Sequence, residues 1–177
     1  EVSAYARPGR QSAHNLNYWR FGDYLGIGAG AHGKISSGAG QHVQRRWKLK
    51  HPQTYMDSAG TAANLGGDEL IDSTRLPFEY MLNLLRLHEG FTLSDFESRT
   101  GLARSAITSP LRQALAKGWL EQVGGGPAEA TGQARAHSAE DHDCTATGCH
   151  GQPELILRPT ELGRRFTNDV VELFLPG

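Results

Sequence analysis

Residues 76–123, LPFEYMLNLLRLHEGFTLSDFESRTGLARSAITSPLRQALAKGWLEQV, carry the periodicity that decides the fold. Phe78, Met81, Leu82 and Leu85 recur at i, i+3, i+4 and i+7, the stripe of an amphipathic helix, and Gly90 follows as a stop. Thr92 is placed to cap a second short helix that carries Asp95 in its first turn and Leu93 and Phe96 as apolar contacts. Ser109-Pro110 reads as a cap followed by a first-turn proline, Leu111, Ala114 and Leu115 give an apolar face, and Gly118 closes the helix. Trp119 to Val123 then reads as a strand and Glu154 to Arg158 as its partner. Thr160 caps a final helix with Leu162, Phe166, Val170 and Leu173 on one stripe. Three helices, a hairpin and a helix is the order of a winged-helix module, the architecture expected for residues 68–177.

Upstream the sequence changes character. Pro8-Gly9 signals a turn, and residues 24–28 (YLGIG) read as a short buried strand running into a glycine-rich turn. Val43 to Leu49 reads as a strand with Val43, Trp47 and Leu49 on one face, interrupted by Arg45. His51-Pro52 opens a short helix over 52–59, and the small residues 60–67 (GTAANLGG) form a linker. Residues 124–153 contain no Leu, Ile, Val, Met, Phe, Tyr or Trp, so they cannot bury enough apolar surface to offset ordering and are expected to form an extended wing.

Composition excludes several classes. The 177 residues are 38% apolar and 21% charged with a net charge of −1, which argues against a generic nucleic-acid binder. No apolar run reaches the roughly 18–20 residues of a membrane span. Two cysteines are too few for a disulfide scaffold and fit a reducing, cytoplasmic compartment.

Four constellations could carry chemistry. His14-Asn15-Leu16-Asn17-Tyr18-Trp19 packs an imidazole, amides, a phenol and an indole into six residues, a set able to ligate iron and stack on a macrocycle. A buried polar turn with His14 merely hydrogen-bonded accounts for the same residues. Residues 26–33 (GIGAGAHG) contain a formal GxGxxG at Gly28, Gly30 and Gly33, but no helix pattern follows and no acidic residue stands about 20 positions on, so a dinucleotide reading fails. Close backbone approach, to a ligand or to another strand, remains. In the wing, His137, Asp141, His142, Asp143, Cys144, Cys149 and His150 are competent zinc ligands by type, yet C-x4-C matches no CxxC knuckle and two cysteines fall short of an iron–sulfur cluster. Arg99, Arg104, Arg112 and Lys117 could read DNA, but the neighbouring Glu97 and Glu121 and Pro110 in the would-be recognition segment favour packing against protein.

HNLNYW (14–19) followed by YLGIGAGAHG (24–33) resembles the haem-chaperone, HemW-like branch of the radical S-adenosylmethionine proteins, relatives of oxygen-independent coproporphyrinogen III oxidase. The resemblance covers nearly all of the chain except 124–153. It implies an α/β protein in which residues 1–59 are the end of a partial TIM-type radical barrel with its following loops. Residues 60–67 would be a linker, and 68–177 a HemN-type, mostly helical, winged-helix-like domain with a flexible insertion at 124–153. HNxxYW is the motif proposed for haem binding in that branch, carried here by His14, Asn15, Tyr18 and Trp19. Gly26, Gly28, Gly30 and His32 would line the S-adenosylmethionine or substrate end, and His32 and His51 are alternative haem ligands. The oxidase branch lacks the motif and has a hydrophobic residue where His32 stands.

The family's CxxxCxxC, which holds a [4Fe–4S] cluster, is absent from this chain. The chain is therefore expected to be the C-terminal portion of a longer protein whose other part holds cluster and S-adenosylmethionine, itself carrying no catalytic residue and, the cluster cysteines being absent, no cluster ligand. That the sequence starts at Glu1 fits this expectation. The implied cargo is haem and the implied partner a membrane-associated haemoprotein, met in the cytoplasm or peripherally at the membrane, with no nucleic acid bound. Two other readings are carried beside it: coproporphyrinogen III oxidase, and a DNA-binding winged helix.

Overall fold

The computed structural model describes residues 6–7, 9–38, 42–124 and 154–176. Over them the chain is a mixed α/β protein with two small sheets, both antiparallel. The first is a meander of β1 (His32–Ser37), β2 (His42–Lys48) and β3 (Leu65–Ile71). Register sets its two faces: Ser36 pairs with Val43 and Val43 with Ile71, while Lys34 pairs with Arg45 and Arg45 with Glu69. Val43 and Ile71 are buried on this inner face. Ile35, Gln44, Arg46, Asp68 and Leu70 share the outer one.

The arginine that interrupts β2 has a partner from another element. Arg45 donates to both oxygens of Glu79, at 3.2 and 2.7 Å, and Arg75 reaches the same carboxylate at 3.4 Å. Glu79 lies in α3 (Leu76–Leu84), so the ion pair fastens this helix to the inner face of the sheet. The Glu79 side chain is only 4% exposed, and a carboxylate that deep is tolerated because two guanidiniums surround it.

The helices follow most of their sequence signals. α2 (Pro52–Asp57) starts at its proline. α4 (Leu93–Thr100) opens on a reciprocal box, the Thr92 hydroxyl accepting from the Asp95 amide while the Asp95 carboxylate accepts from Thr92, and Gly101 ends it at φ 68°. β4 (Leu120–Val123) pairs with β5 (Ile156–Pro159) as expected. The core runs continuously from Phe21, Val43 and Ile71 through Tyr80, Met81, Phe91 and Phe96 to Ile107, Leu157, Val170 and Phe174.

Four expectations are corrected. Residues 24–28 form no strand: Tyr24 alone bridges to Lys34, and Leu25 and Ile27 are 76% and 87% exposed, because Gly28 and Gly30 turn the chain at positive φ. The small-residue segment 60–67 does more than connect, since Ala62–Asn64 make a 3-10 turn and Leu65 opens β3. Gly67 is required there, for a Cβ would collide with the Trp47 indole laid across it. α5 (Ser105–Ala116) begins well before Ser109, so Pro110 lies inside the helix and not at its first position. The last helix is two, α6 (Glu161–Arg165) and α7 (Thr167–Glu172), broken at Phe166. That break lets the Phe166 ring stack on Trp119 at 6.3 Å while Val170, Val171 and Phe174 turn into the core. The wing cluster from His137 to His150 lies outside the described residues.

The Glu79 clasp is testable. Glu79→Ala strands Arg45 against the inner face and is expected to lower unfolding free energy by about 2 kcal/mol, below the usual 3–5 for a broken buried pair because Arg45 keeps some water contact. Arg45→Met with Glu79→Leu should restore most of it; urea titration of the two variants makes the comparison.

Candidate functional site

HNLNYW folds as α1 (Ala13–Trp19), and its first turn is local chemistry. Ser12 caps it, its hydroxyl accepting from the Asn15 amide at 3.3 Å. The helix has two sides: Leu16 and Trp19 pack against the core, while His14 and Tyr18, one turn apart, stay exposed. Its exit is tight. Phe21 takes a left-handed conformation at φ 57°, the Gly22 amide donates to the Asn17 carbonyl at 2.8 Å, and the Asn17 side chain donates to the Asp23 carbonyl at 2.8 Å. A side chain at Gly22 would collide with Asn17, so these two residues are a matched pair.

The strained exit is held by a buried cation. Lys34 on β1 sits 4.1 Å over the Phe21 ring and donates to the Asp23 carboxylate at 3.0 Å and to the Ser36 hydroxyl at 3.2 Å. The same carboxylate accepts from the Ser36 amide at 2.9 Å. Burial pulls the Asp23 carboxyl upward, but the Ser36 and Lys34 hydrogen bonds outweigh it and hold the group below the ordinary carboxylate value. Burial likewise depresses the Lys34 ammonium, with Asp23 offsetting part of the shift.

Around this anchor lies an aromatic surface. Tyr18 meets Tyr24 with ring centroids 5.1 Å apart, and burial, then the nearby Tyr18, pushes the Tyr24 phenol up to about 12. His32 stacks on Trp47 at 6.1 Å and is exposed. By register His32 lies on the same side of β1 as Lys34, the residue that Tyr24 bridges. The structure thus sets Tyr24 against Tyr18, with His14 one turn away on α1, and sets His32 with Trp47. His51 does neither, since its ring caps α2. Tyr24 and Trp47 were not singled out by sequence, because only the fold brings them beside Tyr18 and His32.

The residues of this segment differ in what they leave free to contact. The His14 imidazole makes one long contact, 3.5 Å to Asn15, and otherwise has no hydrogen-bond partner among the described residues. It is therefore available as a nitrogen ligand, and Tyr18 is available for stacking. Trp19 faces the core instead and is a packing residue. The glycines of 26–33 serve the backbone: a Cβ on Gly26 would strike the His32 carbonyl, and Gly28 and Gly30 hold positive φ at the turn. No group of three or more His, Cys, Asp or Glu among the described residues could hold a metal ion, so these residues do not fit an iron–sulfur cluster. No described helix is long and apolar enough to cross a membrane.

Known proteins supply the class first. Residues 71–126, from the end of β3 through β4, match the HemN C-terminal domain family. The wider chain is related to the C-terminal part of the heme chaperone HemW proteins: it is 43% identical over 122 residues to heme chaperone HemW of Escherichia coli (69% of this chain, 31% of that protein). It is 41% identical over 175 residues to heme chaperone HemW of Haemophilus influenzae (99% of this chain, 37% of that protein). A 58-residue stretch is 48% identical to radical S-adenosyl methionine domain-containing protein 1, mitochondrial, of Bos taurus, covering 32% of this chain and 13% of that protein. The chain spans about a third of the length of the curated bacterial relatives it matches. No solved structure matches it.

Asp23→Asn tests the anchor by acid. Because Asp23 is held below its ordinary value, its stabilisation is full above the unfolded carboxylate pKa of about 3.9 and is lost as pH falls through the lower folded value. The variant should lose about 1–2 kcal/mol at neutral pH, from a buried ammonium left without its carboxylate, and show a flatter decline in stability below about pH 4. Urea midpoints measured at pH 7 and through the acid range check both.

Proposed function

We propose that this chain is the haem-handling C-terminal part of a haem chaperone, binding haem at α1 and passing it to a haemoprotein. The observation that carries the reading is the α1 helix itself, which turns His14 and Tyr18 outward from a core-anchored base in a chain related nearly end to end to heme chaperone HemW. His14 is the iron ligand and Tyr18 the stacking ring, with Asn15 beside the imidazole. Trp19 holds the helix down rather than contacting the macrocycle. Such a site is open, which suits cargo that must leave again.

The longer protein would hold S-adenosylmethionine and a [4Fe–4S] cluster in its other part, with residues 1–59 completing a radical barrel and Gly26, Gly28, Gly30 and His32 bordering it. The helices and hairpin beyond residue 68 would then be a winged-helix-like module that faces protein. Arg104 supports that choice over DNA, because its guanidinium is tied to Glu97 at 2.7 Å, and Lys117 lies over the Trp119 ring at 4.3 Å. The acceptor would be a membrane-associated haemoprotein, approached from the cytoplasm.

Haem titration followed at the Soret band tests the assignment. The unaltered chain should bind haemin saturably, and His14→Ala with Tyr18→Ala should weaken binding by about tenfold or more, the equivalent of roughly 1.4 kcal/mol. Unchanged affinity in the double variant would remove α1 from the site.

A further inference from the structure

Where α3 ends and α6 gives way to α7, the surface holds a cleft of about 280 Å³ whose lining is mostly basic. Arg86 follows α3, and Arg164 and Arg165 stand in the last turn of α6. Asn168 lies beside them, and Leu82 and Val171 are the apolar lining. Asp169 is the one carboxylate there. These arginines are unlike most of the others. Arg20, Arg45, Arg46, Arg75, Arg104 and Arg158 are all paired with carboxylates. Among the described residues Arg86, Arg164 and Arg165 make no ion pair, and all three are exposed. Two are oriented by backbone instead: the Arg86 Nε donates to the Leu82 carbonyl at 3.2 Å, and an Arg164 terminal nitrogen to the Pro159 carbonyl at 3.4 Å. Each tether engages one nitrogen and leaves the rest of the guanidinium to donate elsewhere.

We propose that this cleft binds a phosphate monoester, with Arg86, Arg164 and Arg165 donating to its oxygens. Three guanidiniums against one carboxylate leave two positive charges, which match the dianion of a phosphate monoester. Guanidinium forks suit phosphate oxygens, and like charges gathered at one cleft repel unless an anion offsets them. The helix dipole explains only part of the arrangement. Cations suit the last turn of α6, but that helix has five residues and Arg86 comes from another element. Pockets that enclose drug-sized molecules run from about 300 to 1,000 Å³, so this cleft takes a phosphate group and leaves the rest of its ligand outside. A nucleic-acid backbone is a poorer match, because each of its phosphodiesters carries a single charge. The inference goes beyond the haem reading and shares no residue with α1 or with the loop at 24–33.

Two sources carry this group: a free phosphate ester and the headgroup of phosphatidic acid. Calorimetric titration with glycerol 3-phosphate reads the first. Sedimentation with phosphatidylcholine vesicles, with and without phosphatidic acid, reads the second. Both are run on the unaltered chain, Arg86→Gln, Arg164→Gln and Asp169→Asn; these side chains are exposed, so all four proteins should share one urea midpoint. If the source is a free ester, glycerol 3-phosphate binds saturably, each arginine variant weakens it about fivefold, and Asp169→Asn tightens it. If the source is lipid, the same pattern appears in the fraction sedimented with phosphatidic acid and not with phosphatidylcholine alone. A purely structural role for these residues would not give tighter binding on removal of Asp169. Binding of neither probe, equal binding by all four proteins, or binding of succinate or a DNA duplex as tightly as the phosphate monoester overturns the proposal. Loss or survival of haemin binding on changing His14 and Tyr18 leaves each of these readings intact.

Discussion

The ring of Tyr80 holds the two parts of this chain together. It meets Phe21 at 5.5 Å, Phe91 at 6.1 Å and Phe96 at 5.3 Å, each edge to face. Phe21 belongs to the exit from α1, Phe91 to the turn before α4, and Phe96 to α4 itself, while Tyr80 is on α3. One buried side chain therefore receives the exit of α1 from one side and α4 with its preceding turn from the other. Burial pushes its phenol above the ordinary tyrosine value, which favours the neutral ring in the core. The Glu79 clasp one residue earlier fixes α3 to the sheet, and the aromatic cluster joins the exit of α1 and the start of α4 to α3.

That arrangement explains how a seven-residue helix can be ordered. An isolated helix of this length is unstable in water, so α1 must take its order from packing. Leu16 and Trp19 supply the packing, and Phe21, pinned between Lys34 and Tyr80, fixes where the helix ends. His14 and Tyr18 are then exposed by geometry and not by default. The segment divides its labour: Leu16 and Trp19 hold the helix to the core, Asn17 fixes its exit, and His14 and Tyr18 face outward.

Local signals were legible and distant ones were not. The Thr92–Asp95 box, the α3 stripe and the β4–β5 pair could be read because each is written within a few residues of itself. β3 was hidden because its first residues, Leu65-Gly66-Gly67, look like connection until the Trp47 indole that needs their emptiness is placed over them. Pro110 was misread for a similar reason. A proline suits a helix start on local grounds, yet buried Ile107 draws the helix back toward Ser105. The break at Phe166 came from Trp119, more than forty residues away, to whose carbonyl Gly163 packs too closely for any side chain. In α1 the exposure of His14 and Tyr18 follows from the core packing of Leu16 and Trp19 on the opposite side. The role of Trp19 as packing, and the partners Tyr24 and Trp47, required the fold.

The claim at the centre of this account is that the outward face of α1 is where haem arrives. Paramagnetic broadening by haemin, recorded on the isotope-labelled chain by two-dimensional NMR at substoichiometric ligand, reads this directly. The account predicts that resonances of His14, Asn15 and Tyr18 broaden first, with Tyr24 close behind and those of Trp119 and Phe166 unaffected. Broadening that begins at Trp119 and Phe166 and spares α1 would contradict it.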